Sequence, residues 1–126
     1  MEKQTSLSNS EWQVMQCLWE KPHTLMELVE VLGQTVGWSK STVATMVRRM
    51  EEKRILCYQE QGRTKIFYPA ISREDVVRRE TQNLLQRAYR GSIGLLVSTM
   101  AQNQPLSKVE IDELYEILRK AEEDAK

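Results

Sequence analysis

Six residues between positions 40 and 49 have types and spacings suited to polar recognition: Lys40, Ser41, Thr42, Thr45, Arg48 and Arg49. Val43, Met46, Val47 and Met50 interleave with them at the three- and four-residue spacing of a helix's buried stripe. At about 100° per residue, Ser41, Thr45, Arg48 and Glu52 project directly away from that stripe, with Thr42 and Arg49 on one flank. Short hydroxyls come first and guanidiniums follow. Hydroxyls allow a helix to come close to a base edge or a thymine methyl group, and guanidiniums reach guanine or phosphate. A merely solvated helix face more often carries long Glu and Lys side chains throughout. Ser39 stands at the N-cap, where a helix offers unpaired amides that suit a phosphate.

A second cationic pair, Arg63 and Lys65, belongs to the tip of a predicted hairpin. Residues 55–59 and 64–69 read as strands joined through Glu60-Gln61-Gly62-Arg63, where Gly62 supplies the positive φ of a tight turn. Leu56 and Tyr58 alternate in the first run, and Ile66 and Tyr68 in the second, so these four are the expected packed face. Total charge is balanced, 18 basic against 18 acidic. Its distribution is not. Residues 40–65 hold Lys40, Arg48, Arg49, Lys53, Arg54, Arg63 and Lys65 against only Glu51, Glu52 and Glu60. A local basic face is enough to hold phosphates whatever the total.

The elements that must position these residues are marked by their caps. Leu7-Ser8-Asn9-Ser10-Glu11-Trp12 reads as a capping box inside a hydrophobic staple, opening a helix to about Glu20 with Trp12, Met15, Leu18 and Trp19 on one face. Thr24 with Glu27 repeats the box and opens a short helix expected to bury Leu25, Leu28, Val31 and Leu32. Gly33 and Gly37 are expected to bracket the connection to the helix capped by Ser39. After the hairpin everything reads as helix. One runs from about residue 73 to 90 and ends at Gly91. A second spans about 92–102. A third is opened by Leu106-Ser107-Lys108-Val109-Glu110-Ile111. Glu122-Glu123-Asp124 reads as a frayed tail.

Several function classes are excluded by pattern. Apolar runs such as Leu95-Leu96-Val97 are short, far below the roughly 20 residues of a membrane span. The opening MEKQTSLSNSE has no apolar stretch after its charges, so a cytoplasmic protein is expected. Cys17, Cys57 and His23 are too few and too scattered for a structural zinc site, which needs about four ligands. Both cysteines read as plain thiols. No nucleophile elbow, P-loop or His-Glu-x-x-His motif is present, so neither enzyme activity nor a cofactor is expected. His23, beside Pro22, reads as structural.

The order helix, helix, helix, hairpin is that of a winged helix-turn-helix. The expected fold is mainly α with a small β-hairpin: a winged helix-turn-helix domain over residues 1–71 and a C-terminal helical region over 72–126. That region has too little core to stand alone. Its stripes, Leu84 and Leu85 on one helix and Ile111, Leu114 and Leu118 on the last, need either a partner or the chain's own first domain. Winged helices also serve as protein–protein adaptors, so element order alone leaves DNA binding and adaptor function both open.

The segment LSNSEWQVMQCLW, residues 7–19, resembles the opening I-S-x-x-E-W-x-V-M-x-x-L-W of the penicillinase repressor family, which includes the methicillin-resistance and copper-transport repressors. Trp38-Ser39-Lys40-Ser41-Thr42-Val43, with Met50 and Lys53, is similar to its recognition helix, and residues 62–69 to its wing. Glu80-Thr81 with Leu84-Leu85 resembles the start of its dimerisation region, and residues 106–118 its last helix. The resemblance implies a homodimer with intertwined C-terminal helices that binds a palindromic double-stranded operator and represses transcription. It also implies relief by a sensor-linked protease or by another signal. Ser98-Thr99 stands where the family's scissile Asn-Phe bond falls, making these two the candidate cleavage region and a departure from the pattern. The cysteine-rich motif of the copper branch has no counterpart in residues 121–126, so no metal is expected.

Overall fold

The computed structural model describes residues 6–125. The described chain forms two compact units, one up to Gln82 and one from Asn83 onward.

The first unit begins with α1 (Asn9–Glu20), β1 (His23–Thr24), α2 (Leu25–Thr35) and α3 (Lys40–Glu52). Then come β2 (Leu56–Gln61), β3 (Thr64–Pro69) and the first part of α4 (Arg73–Tyr89). The expected caps are in place. Ser8 and Thr24 each accept from the amide three residues on, and Glu11 and Glu27 accept in return from the Ser8 and Thr24 amides. These reciprocal bonds satisfy donors that a helix start otherwise leaves unpaired. One core joins the elements, with Met15 and Leu18 of α1, Leu28 and Leu32 of α2, Val43, Val47 and Met50 of α3, Leu56, Phe67 and Val76 all buried.

Two tryptophans fasten α1 to the chain beyond the hairpin. Trp19 Nε1 donates to the Ile71 carbonyl at 3.0 Å, and Trp12 Nε1 to Glu80 Oε1 at 3.0 Å. Their rings meet edge to face with centroids 5.5 Å apart, a favourable quadrupole arrangement.

Four expectations need correction here. The sheet has three strands in the order β1-β3-β2, because the two residues His23 and Thr24 pair with Phe67 and Ile66. The packed residue of β3 is Phe67, and Ile66 and Tyr68 are only half-buried. The turn is two residues long, with Gln61 opposite Thr64, which places Phe67 opposite Tyr58 on the core side. A one-residue change of phase exchanges the faces of a strand. In α2, Val29 packs on the core while Val31 stays exposed. Leu25, Leu28, Val29 and Leu32 keep a single face at helical spacing. Finally, α2 continues through Gly33 to Thr35. The Leu32 carbonyl accepts from the amides of both Val36 and Trp38, and Gly37 alone of the two glycines takes a positive φ, 74°.

The end of α3 is unusual. Arg54 N–H donates to the Glu51 carbonyl and Ile55 N–H to the Met50 carbonyl, the two bonds of a Schellman motif, with Ile55 and Met50 both fully buried. The left-handed position of that motif normally holds glycine, but here Arg54 occupies it with φ 64°. A left-handed conformation costs an L-residue about 1–2 kcal/mol, partly offset by the greater unfolded-state entropy of glycine. Arg54→Gly is therefore expected to stabilise the protein by about 0.5–1 kcal/mol. A denaturant midpoint that is unchanged or lower would contradict this account.

The second unit holds the end of α4, then α5 (Ile93–Asn103) and α6 (Lys108–Asp124). Arg90 and Gly91 turn the chain with φ 51° and 84°. Ser92 caps α5, and Ser107 with Glu110 forms the expected capping box on α6. The acidic end is helical through Asp124, not frayed: the Ala125 amide closes on the Ala121 carbonyl. Neither α5 nor α6 contains a buried residue. None of the described helices is long and apolar enough to cross a membrane.

Candidate nucleic-acid interface

The face of α3 opposite its core stripe is open to solvent. Lys40, Ser41, Thr42, Arg48 and Arg49 are exposed. Thr45 is half-buried. Long helical side chains lean back toward the N-terminus, so Arg48 and Arg49 flank this shorter residue.

At the start of α3 the hydroxyls form a cluster. Ser39 Oγ accepts from the Thr42 amide at 3.2 Å and lies 3.1 Å from Ser41 Oγ and 3.0 Å from Thr42 Oγ1. The side chains are thereby held in fixed directions; Ser39 Oγ is fully engaged by these three partners, while the Ser41 and Thr42 hydroxyls keep spare capacity for a base or phosphate.

The two flanks of α3 differ. Arg48 lies on the hairpin side and, with Ala44, Val47 and Glu51, forms one wall of an open cleft of about 760 Å³. Arg63, Thr64 and Lys65 form the opposite wall, and Phe67 also lines it. Three predicted cations, Arg48, Arg63 and Lys65, thus converge on one groove. Arg49 and Thr42 are on the other flank of the helix and do not line this cleft.

Arg48 Nη1 lies 3.9 Å from Glu52 Oε1, with both side chains about two-thirds exposed. An exposed pair of this kind is worth about 0–1 kcal/mol, so little opposes releasing Arg48 to a ligand. Lys65 Nζ sits 4.2 Å from the centroid of the Tyr58 ring, a cation–π contact that orients the hairpin's cation.

Sequence reasoning missed the contribution of α2 to this site. Thr24, Leu25 and Met26 line the same cleft, and Met26 is 58% exposed. An apolar Met26 beside the capping Glu27 was the available signal. His23 is buried with Nδ1 2.7 Å from the Lys21 carbonyl, and Cys17 and Cys57 are free thiols. Burial, with Glu20 nearby, pushes the Cys17 thiol above its ordinary pKa, so it is no activated nucleophile.

The remaining predicted residues lie in the second unit. Leu84, Ile111 and Leu118 are exposed and Leu85 and Leu114 half-buried. Ser98 is exposed, and Thr99, half-buried in α5, donates its hydroxyl to the Leu95 carbonyl at 2.8 Å.

Comparison with known proteins agrees with this geometry. The chain is 32% identical over 119 residues to the penicillinase repressor of Bacillus licheniformis, spanning 94% of this chain and 93% of that one. It is 26% identical to the methicillin resistance regulatory protein MecI of Staphylococcus aureus (strain N315), over 94% and 97% of the two chains. The DNA-binding domain of the repressor BlaI superposes with a TM-score of 0.53 at 30% identity, covering 60% of this chain and 93% of that domain. The monomeric form of Bacillus licheniformis BlaI, solved in complex with the blaP half-operator, gives 0.50 at 29% identity, covering 56% and 87%. The penicillinase repressor family profile matches residues 7–120, nearly the whole chain. This winged-helix protein therefore belongs to the penicillinase repressor family.

Proposed function

We propose that this chain is a sequence-specific transcriptional repressor that binds a palindromic double-stranded operator as a homodimer in the cytoplasm. The observation that carries the proposal is the convergence of Arg48, Arg63 and Lys65 on one open cleft, beside the hydroxyl-bearing start of α3. In this reading Ser41, Thr42 and Thr45 face base edges, with Arg48 beside them. Lys40 and Arg49, with Arg63 and Lys65 of the hairpin, hold the phosphates. Residues 1–71 read the DNA and residues 72–126 pair the protomers through Leu84, Leu85, Ile111, Leu114 and Leu118. Cleavage within α5, at the stretch containing Ser98 and Thr99, by a sensor-linked protease relieves repression.

The test uses a duplex that the protein itself selects from a random-sequence pool. Arg48→Ala and Arg49→Ala are each expected to weaken binding to it by about 5- to 150-fold per half-site, the range for losing one base or strong phosphate contact in each protomer. Thermal melts should stay unchanged, since both side chains are exposed. Unchanged affinity in both variants would remove α3 as the reading element. Failure of the wild-type chain to select any duplex would favour a protein–protein adaptor.

A further inference from the structure

The best-fastened end of α3 is the one furthest from its hydroxyls. Lys53, the C-cap residue, donates from Nζ to Glu11 Oε2 at 2.9 Å. The other carboxylate oxygen of Glu11 accepts from the Ser8 amide at 2.9 Å. One carboxylate thus closes the start of α1 and holds the end of α3. It is only 4% exposed, so it cannot itself touch a ligand on the outer face. Lys53 lies four residues beyond Arg49, on the flank of α3 away from the cleft.

We propose that Glu11 and Lys53 are positioning residues for DNA reading: their ion pair fixes the tilt and rotation of α3, and so the depth at which Ser41, Thr42 and Thr45 meet the bases. This inference rests on the DNA-reading role of α3 argued above. The physical reason is leverage. A 13-residue helix is about 20 Å long, so a pivot of about 5° at its C-terminal end moves its N-terminal hydroxyls by about 1.5 Å. Hydrogen bonds of about 2.7–3.2 Å do not survive such a displacement. The Schellman motif and buried Ile55 hold the backbone at that end. The Lys53–Glu11 bond is the polar tether that joins it to α1.

The experiment measures affinity for two duplexes of equal length, one selected by the wild-type protein from a random pool and one of mixed sequence. Glu11→Gln and Lys53→Met are each expected to lower affinity for the selected duplex about two- to thirtyfold, as mutations acting through a packed network do. The double variant should be no worse than the more damaging single one, because both remove the same bond. Lys53→Arg should retain most of the affinity. For Glu11→Gln the mixed-sequence affinity should hardly change, since phosphate contacts remain.

Binding is measured well below each variant's melting temperature, and if Glu11→Gln does not fold, the contrast between Lys53→Met and Lys53→Arg decides. Two results overturn the inference. One is an unchanged ratio of selected to mixed-sequence affinity in Glu11→Gln. The other is an equal loss on both duplexes in Lys53→Met, with the log–log salt slope reduced by about one, which makes Lys53 a phosphate contact. If the wild-type protein selects no duplex at all, the DNA-reading proposal itself fails. A wild-type protein that selects a duplex while the tether variants match it defeats the positioning role alone.

Discussion

Raising monovalent salt from about 50 to 200 mM is expected to weaken binding to a selected duplex by about 10⁴-fold. Lys40, Arg49, Arg63 and Lys65 are all exposed and are the four cations per protomer that the proposed function sets against phosphates, hence about eight in the proposed homodimer. Each neutralised phosphate releases condensed counterions and adds about −0.9 to the slope of log affinity against log salt, giving a slope near −7. Arg48, also exposed, is set against a base in that proposal and leaves this count unchanged. Arg63→Ala should lower the magnitude of the slope by about two in the dimer, one for each protomer. Fluorescence anisotropy across a salt series measures both quantities. A slope near zero, or no duplex binding at low salt, would mean that the basic stretch between residues 40 and 65 is a solvated surface and the adaptor reading is correct.

Joint replacement of Leu114 and Leu118 by aspartate is expected to give monomers and to cost about 10²- to 10⁴-fold in affinity for a two-half-site duplex. A helical unit from Asn83 onward with no buried residue in α5 or α6 has too little core to be stable alone. Its apolar residues are many and outward: Ile93, Leu95 and Met100 on α5, and Val109, Ile117 and Leu118 on α6, are all at least half exposed. Burying one such leucine gains about 1.5–3 kcal/mol, and an aspartate in its place must be desolvated without a partner. Light scattering should then report a single chain of 14.7 kDa. Losing the partner turns a bivalent contact into a monovalent one, so affinity for a single half-site should persist. A dimer that survives both substitutions would place the interface on other residues.

The candidate site is largely legible in the sequence because its determinants are local. Capping boxes at Ser8, Thr24 and Ser107 and a single cap at Ser39 each join residues three apart, and all four are present as expected. The apolar stripe of α3 fixed which residues face outward, and the arginines and hydroxyls follow from it. The helix ends were less secure. Gly33 looked like a stop signal, yet α2 passes through it, because the packing of Leu28 and Leu32 outweighs the modest cost of one internal glycine.

What the chain alone determined is the helix starts, the outward face of α3, the hairpin and the concentration of positive charge, since each depends on neighbours within a few residues. Only the tertiary structure decided the rest. β1 exists because β3 pairs with it, and two residues have no strand character by themselves. Phe67 faces the core because a two-residue turn sets the register. Arg48 meets Arg63 and Lys65 across a cleft, and Lys53 reaches Glu11, 42 positions away, because packing brings distant elements together. Periodicity reports which side of an element is apolar. It carries no information on which other element will cover that side.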